Sequence, residues 1–298
     1  MKKIISLVLV FVMCLSLCAC GKSEAVVNVE KLISAIGEVS LESKIAIDEA
    51  QKAFDALSTD EKADVENYFV LVESHDTFKQ LEAIEEQRLL EEAEEAKKTN
   101  AKEVYENIKS AWTIANQVGT GIYNVWHGWV YEKEEMSSGG LQFFADKASL
   151  SLEDIVEGFA ARNYVNEQFA KTGIYWIEIS DADKEFYRDA TVKAFEKASK
   201  AKQYAGMSDV LWGTVYSFML DGYIDGAQTL LESAKQELKE LPADYEYYSA
   251  LKDFYTTTSA LVDFCGSPSG SLDQYKVLLN DYRKEARDYM NDLDFVFE

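Results

Sequence analysis

Apolar positions in this chain recur at helical spacing almost from end to end. Val104, Ile108, Ala111, Ala115, Val118, Ile122, Val125 and Trp129 alternate steps of four and three, which is one face of one long helix. After a loop expected at Met136 to Gly140, Ser151 caps a second helix carrying Leu152, Ile155, Phe159 and Phe169, and Gly173 ends it. Ile174 to Ile179 is the one strand-like run, either a short extended piece or a buried connection. Ser180 or Asp181 caps a third helix whose row is Phe186, Ala190, Ala194, Ala198 and Ala201, with Gly206 as its stop. The small residues there would admit a close neighbour. The longest row, Trp212, Tyr216, Met219, Tyr223, Ala227, Leu230, Ala234, Leu238 and Leu241, ends at Pro242, which cannot continue a helix. Tyr247, Leu251, Phe254, Thr258, Leu261 and Cys265 form a fifth row. Leu272, Tyr275, Leu279, Tyr282, Ala286, Tyr289 and Leu293 form a sixth, after the turn Ser267-Pro268-Ser269-Gly270. Six helices with short joints predict an antiparallel bundle over residues 101–298.

The chain before Ala101 differs in character. Residues 26–81 read as a small helical unit. Val29, Leu32, Ile33 and Ile36 form its first row, and Ile45, Ile47, Ala50, Ala53, Phe54 and Leu57 its second. Ser58 and Glu61 have the spacing of a capping box. A third row starts after Asn67-Tyr68 with Val70, Leu71, Phe78 and Leu81. Residues 82–100 are a charged helical linker, with seven Glu between Glu82 and Lys98 and few large apolar residues. The predicted fold class is therefore all-α, a small N-terminal helical unit joined by a charged helix to a larger antiparallel helical bundle.

Composition supports this and narrows function. Only two Pro and 15 Gly occur in 298 residues, too few turn-formers for many short strands. The formal net charge of −23 repels nucleic acid and gives no basic stripe to bind it.

The first 19 residues explain where the chain works. Lys2 and Lys3 precede an apolar run from Ile4 to Ala19, shorter than the ~20 residues of a spanning helix. That is the layout of a signal peptide. Leu17-Cys18-Ala19-Cys20-Gly21 resembles the lipobox of bacterial lipoproteins. The resemblance implies cleavage before Cys20, its lipidation, and a membrane anchor on the extracytoplasmic face, with residues 20–25 as a tether. With Cys20 lipidated, Cys265 has no disulfide partner and is expected to fill a core gap.

Two further resemblances are partial. Ile33, Ile36-Gly37, Val39, Leu41, Ala50, Ala53-Phe54, Ala56-Leu57, Lys62, Val65, Asn67-Tyr68 and Leu71 resemble a helical repeat of Gram-positive surface proteins, which implies spacing or adhesion. The Ser-Pro-Ser-Gly-Ser turn entering a Tyr-rich last helix resembles uncharacterised helical proteins of Gram-positive bacteria and their prophages.

Candidate chemistry is sparse. His75 and His127 stand alone, too few for a histidine zinc site, and no Gly-Xaa-Ser-Xaa-Gly occurs. Asp181-Ala182-Asp183 opens like a calcium loop. Phe186 then stands where the sharp-turn Gly belongs and Val192 where the bidentate Glu belongs, so a helix start with acids in its first turn explains it better. Asp221 and Asp225 would share a helix face, with Gly222 and Gly226 marking close packing. No catalytic residue, metal or cofactor follows from these residues. The candidate binding surface is the aromatic set Trp126, His127, Trp129, Tyr131, Tyr175 and Trp176, facing an envelope protein, peptide or glycan. The expected function is a non-enzymatic, lipid-anchored binding or spacer module. A phage-related exclusion lipoprotein is the alternative, and an envelope enzyme using carboxylates the third reading.

Overall fold

A computed structural model describes residues 22–203 and 205–297. The signal peptide and the lipidation residue Cys20 lie outside the described residues. The fold is all-α, with no strand among the described residues. The chain divides into two compact units between Glu95 and Ala96.

In the first unit, α1 (Glu24–Ala35) begins inside the stretch expected as a tether. Ser23 caps it by accepting from the Val26 amide at 3.2 Å, and Glu24 sits in the positive first turn. Helix α2 (Lys44–Asp55) buries Ile47, Ala50 and Phe54 in one cluster with Val29 and Ile33 of α1 and with Leu71 and Phe78. Ile45, expected in that row, is 71% exposed. It lies two residues from Ile47, about 200° around a 3.6-residue helix, so the two cannot face one core. The short α3 (Thr59–Ala63) starts on the capping box read from the sequence: the Ser58 amide donates to Glu61 Oε2 at 3.0 Å. That amide and the hydroxyls of Ser58 and Ser23 hold the Glu61 carboxyl below the ordinary carboxylate range.

Helix α4 spans Tyr68–Tyr131 without interruption, so the third predicted helix, the charged run and the first bundle helix are one element. Within the run, Arg88 donates to Glu85 at 2.5 Å and to Glu92 one turn on. In the second unit α4 buries Val104, Ile108, Ala111, Ala115, Val118, Ile122 and Val125, the predicted row.

Beyond α4 the structure departs from the pattern in several places. Where a loop was expected, α5 (Lys133–Gly139) and α6 (Leu141–Ala148) bury Met136, Leu141, Phe143 and Phe144, turning at Gly140 with φ +56°. Ser-Ser-Gly-Gly is poor helix sequence, and tertiary burial of these side chains overrides it. Helix α7 (Leu152–Tyr164) starts on Ser151 as predicted. It continues through a π-helical turn at Val165–Phe169 to Gly173, whose φ is +68°. Residues 174–179 form neither a strand nor a buried connection: they hold a 3₁₀ turn at Trp176–Glu178 between extended Tyr175 and Ile179, and only Trp176 is buried.

Helix α8 (Asp181–Lys200) starts on Ser180, which accepts from the Asp183 amide at 3.2 Å. Its inner face is Tyr187, Thr191, Val192 and Phe195, whereas Phe186, Ala190 and Ala194 are exposed. Burying Val and Phe removes more apolar area than burying Ala, so the helix turns its larger side chains inward. It stops at Lys200, and Gly206 instead precedes α9 (Met207–Leu220).

The longest predicted row is two helices, α9 and α10 (Tyr223–Glu240), separated by Gly222 at φ +78°. Helix α9 is buried on most sides through Val210, Leu211, Thr214, Val215 and Phe218, while Trp212 and Tyr216 are half-buried and Met219 is exposed. A helix apolar all round offers no single row from which its inner face can be read. Close helix approach occurs at Gly158 of α7 and Gly213 of α9, not at Gly226, where an added Cβ meets nothing. Helices α11 (Tyr248–Gly266) and α12 (Leu272–Phe297) bury most of the residues their rows predicted, with Tyr247, Leu272, Tyr282 and Tyr289 half-buried. Leu251, Phe254, Leu261 and Cys265 face inward on the first, and Tyr275, Leu279, Ala286 and Leu293 on the second.

Candidate functional site

The second unit carries an apolar groove of about 510 Å³ where α5, α6, α7 and α8 meet. Ser151 starts α7 so that Leu152 and Val156, one turn apart, look along one wall. Val192 and Phe195 of α8 form the facing wall, and Leu141 of α6 closes the end. Phe195 is fixed by edge contacts with Phe144 at 6.0 Å and Phe159 at 5.3 Å between ring centroids. Leu152 is 43% exposed at the mouth, an unusual exposure for a leucine beside an apolar cleft. Polar groups sit at the margin: Ser137, Gln142, Glu196, Ser199 and Lys200. The Ser199 hydroxyl donates to the Ser137 carbonyl, and the buried Ser137 hydroxyl has no partner among the described residues. The groove therefore has aliphatic and aromatic walls with polar side chains at its margin, and the Ser137 hydroxyl is enclosed by protein rather than open to it. Its volume falls within the range of small-ligand clefts.

The six aromatic-set residues do not come together. Trp126 is 2% exposed and packs on Tyr275 in the main core, with 5.7 Å between ring centroids. Trp129 is half-buried, donates from Nε1 to the Ala205 carbonyl at 2.9 Å, and carries the Lys133 ammonium 3.5 Å above its ring. Trp176 is 4% exposed in a separate cluster with Tyr164 and Tyr187. The indole rings of Trp126 and Trp176 are thus core: Trp126 on the inner side of α4, and Trp176 held inward from the 3₁₀ turn by its hydrogen bond to Glu157. Only Tyr131 and Tyr175 are exposed as large aromatics, on different elements.

His127 is partly exposed between Tyr123 and Tyr131, with ring centroids 5.9 and 4.8 Å away. It lines a polar recess of about 380 Å³ with Asn124, Asp146 and Lys147. Its Nδ1 is 3.5 Å from Glu132, whose other oxygen is bound by Lys147 at 2.6 Å. Lys147 first, then His127, keeps the Glu132 carboxyl below its ordinary range. Glu132 is thus held as an ionised partner in a local ion pair.

Asp221 and Asp225 do not form the shared helix face expected of them. Asp221 ends α9 and Asp225 lies in the first turn of α10, across the Gly222 turn. Among the described residues no group of three or more His, Cys, Asp or Glu is placed to hold a metal ion. No described helix is long and apolar enough to cross a membrane. The groove escaped sequence reading because two of its walls were misread: 136–140 as loop, and α8 with its alanine face inward. Weighing Val192 and Phe195 above the alanines would have found the second wall.

No family model, no curated protein and no solved structure matches the chain.

Proposed function

We propose that this chain is a lipid-anchored, extracytoplasmic binding protein without enzymatic activity, held at the cell membrane through Cys20. The lipobox-like run at Leu17–Cys20 supports the anchor. The observation that carries the binding role is the groove between α7 and α8, with apolar walls, Leu152 exposed among them and polar side chains at the margin. Apolar walls with polar groups at the margin suit apolar side chains of a peptide or envelope protein.

Two measurements test the two halves. Fractionation of expressing cells should place the wild type with membranes and release Cys20→Ala; equal membrane retention of both refutes the anchor. A photo-crosslinking residue at Leu152 should yield a discrete adduct in intact envelopes. The same residue at Phe295, which is 94% exposed on α12, should not. Matching adducts from both positions refute a role for the groove.

A further inference from the structure

At the end of α7 away from Leu152, the chain displays large apolar side chains on a braced turn. Ile174, Tyr175, Ile177 and Phe186 are 44%, 60%, 71% and 66% exposed. Such a grouping on a soluble surface marks an interaction site rather than a scattered residue. The turn beneath it is tightly held. The Tyr164 hydroxyl donates to the Ile174 carbonyl at 2.9 Å, and the Tyr175 amide to Glu178 Oε2 at 2.8 Å. Trp176 alone points inward, donating from Nε1 to Glu157 at 2.8 Å, while Arg188 binds the other Glu157 oxygen. Tyr187 packs its ring on both Trp176 and Phe186, linking the turn to the start of α8. Tyr175 rests on Phe169 of the π-helical turn, 4.9 Å between centroids. Exposed apolar side chains on a rigid support lose little freedom on binding, which is how contact residues of high energy are built.

The charge around this tip says what fits it. Glu167, Glu178, Asp181, Asp183 and Glu185 are exposed about it. Of the bases nearby, Arg188 is engaged by Glu157 and Glu185, leaving Lys171 and Lys184 against five carboxylates. We infer that the tip formed by Ile174, Tyr175, Ile177 and Phe186 docks a protein segment presenting apolar side chains flanked by lysine or arginine. Apolar contact supplies the affinity, and the acidic surround selects basic flanks and repels acidic ones. An anionic lipid surface is disfavoured by the same carboxylates. This surface is distinct from the α7–α8 groove, and the inference does not rest on the groove's role.

The probe is a fluorescent amphipathic peptide of alternating Leu and Lys pairs, titrated by anisotropy at physiological salt against the full chain carrying Cys20→Ala. Ile177→Asp with Phe186→Asp removes the two most exposed of the tip's four apolar side chains and adds negative charge. A purely electrostatic attraction to so acidic a chain would hold or strengthen with this variant; docking at the tip predicts at least a tenfold weaker Kd. Asp183→Lys with Glu185→Lys should weaken binding by a similar factor. Ile177 and Phe186 are exposed and make no hydrogen bond through their side chains, so the thermal melt of the Ile177→Asp/Phe186→Asp variant should stay at the wild-type value, which separates lost docking from lost folding. Asp183→Lys/Glu185→Lys should melt slightly lower, because it removes the acceptor of the Ser180 hydroxyl from the first turn of α8. Unchanged peptide affinity for Ile177→Asp/Phe186→Asp overturns the inference. So does wild-type binding to zwitterionic vesicles that the same variant abolishes, since that assigns the tip to lipid.

Discussion

Gly158→Ala probes a close helix contact of the second unit, between α7 and α9. A Cβ built on Gly158 lies 2.1 Å from Ser217 Oγ, 2.3 Å from the Ser217 backbone nitrogen and 2.6 Å from the Gly213 carbonyl oxygen. The hydroxyl can rotate away, but the other two atoms are backbone and cannot move without displacing α9. Relief requires the two helices to part by about 1 Å, given the ~3.5 Å separation that non-bonded atoms prefer. Overpacking of this kind costs about 1–3 kcal/mol, and an immovable neighbour places it near the upper end. Alanine returns about 1 kcal/mol as the better helix former. The net is a destabilisation of about 2 kcal/mol, or roughly 4–8 °C in the melt of a unit this size. The assay is thermal and urea unfolding followed by circular dichroism. Gly226→Ala is the control of opposite sign, because its Cβ meets nothing and its helix α10 should gain stability. Ser217→Ala should not rescue Gly158→Ala, since the backbone nitrogen remains. A Gly158→Ala protein as stable as the wild type would refute the contact.

The Cys265 thiol is buried, donates to the Ala115 carbonyl at 3.3 Å, and is pushed up to about 12 by burial. It should resist thiol reagents at pH 8 until the protein is denatured, and rapid native labelling would place it on the surface. Between its unfolded pKa of about 8.5 and its folded value the unfolded chain holds fewer protons. Stability should therefore fall with rising pH by about 1.4 kcal/mol per unit from this group; Cys265→Ala should flatten that slope, and an unchanged slope would argue against the buried neutral thiol. The four apolar clusters of the described residues each lie within one unit, so the fragment from Ala96 to Glu298 should be helical and unfold cooperatively. Aggregation of that fragment with an exposed apolar stripe would show that the bundle lacks an independent core.

Where one face of a helix is apolar and the other polar, the sequence alone located the core. The rows of α4 after Ala101, of α11 and of α12 became buried faces because spacing near 3.5 leaves only one side to turn inward. Ser58, Ser151 and Ser180 marked helix starts because capping is local chemistry between a side chain and amides two or three residues on. The all-α class followed from the same periodicity and the shortage of Pro and Gly.

Other features were decided by tertiary packing. Residues 133–148 form helices only because Met136, Phe143 and Phe144 find a core to enter. The inner face of α8 was set by competition between Ala and the larger Val192 and Phe195. The break at Gly222 divides what periodicity joined, since a left-handed glycine leaves the spacing of apolar residues on either side intact. The groove and the tip belong to this second class. A groove exists only where α7 and α8 stand beside each other, and no local pattern reports that distance. At the tip, Ile174, Trp176 and Ile177 are all strongly apolar, and sequence could not say which would be buried. The hydrogen bond from Trp176 to Glu157, 19 positions away, pins one ring inward and leaves both isoleucines to solvent.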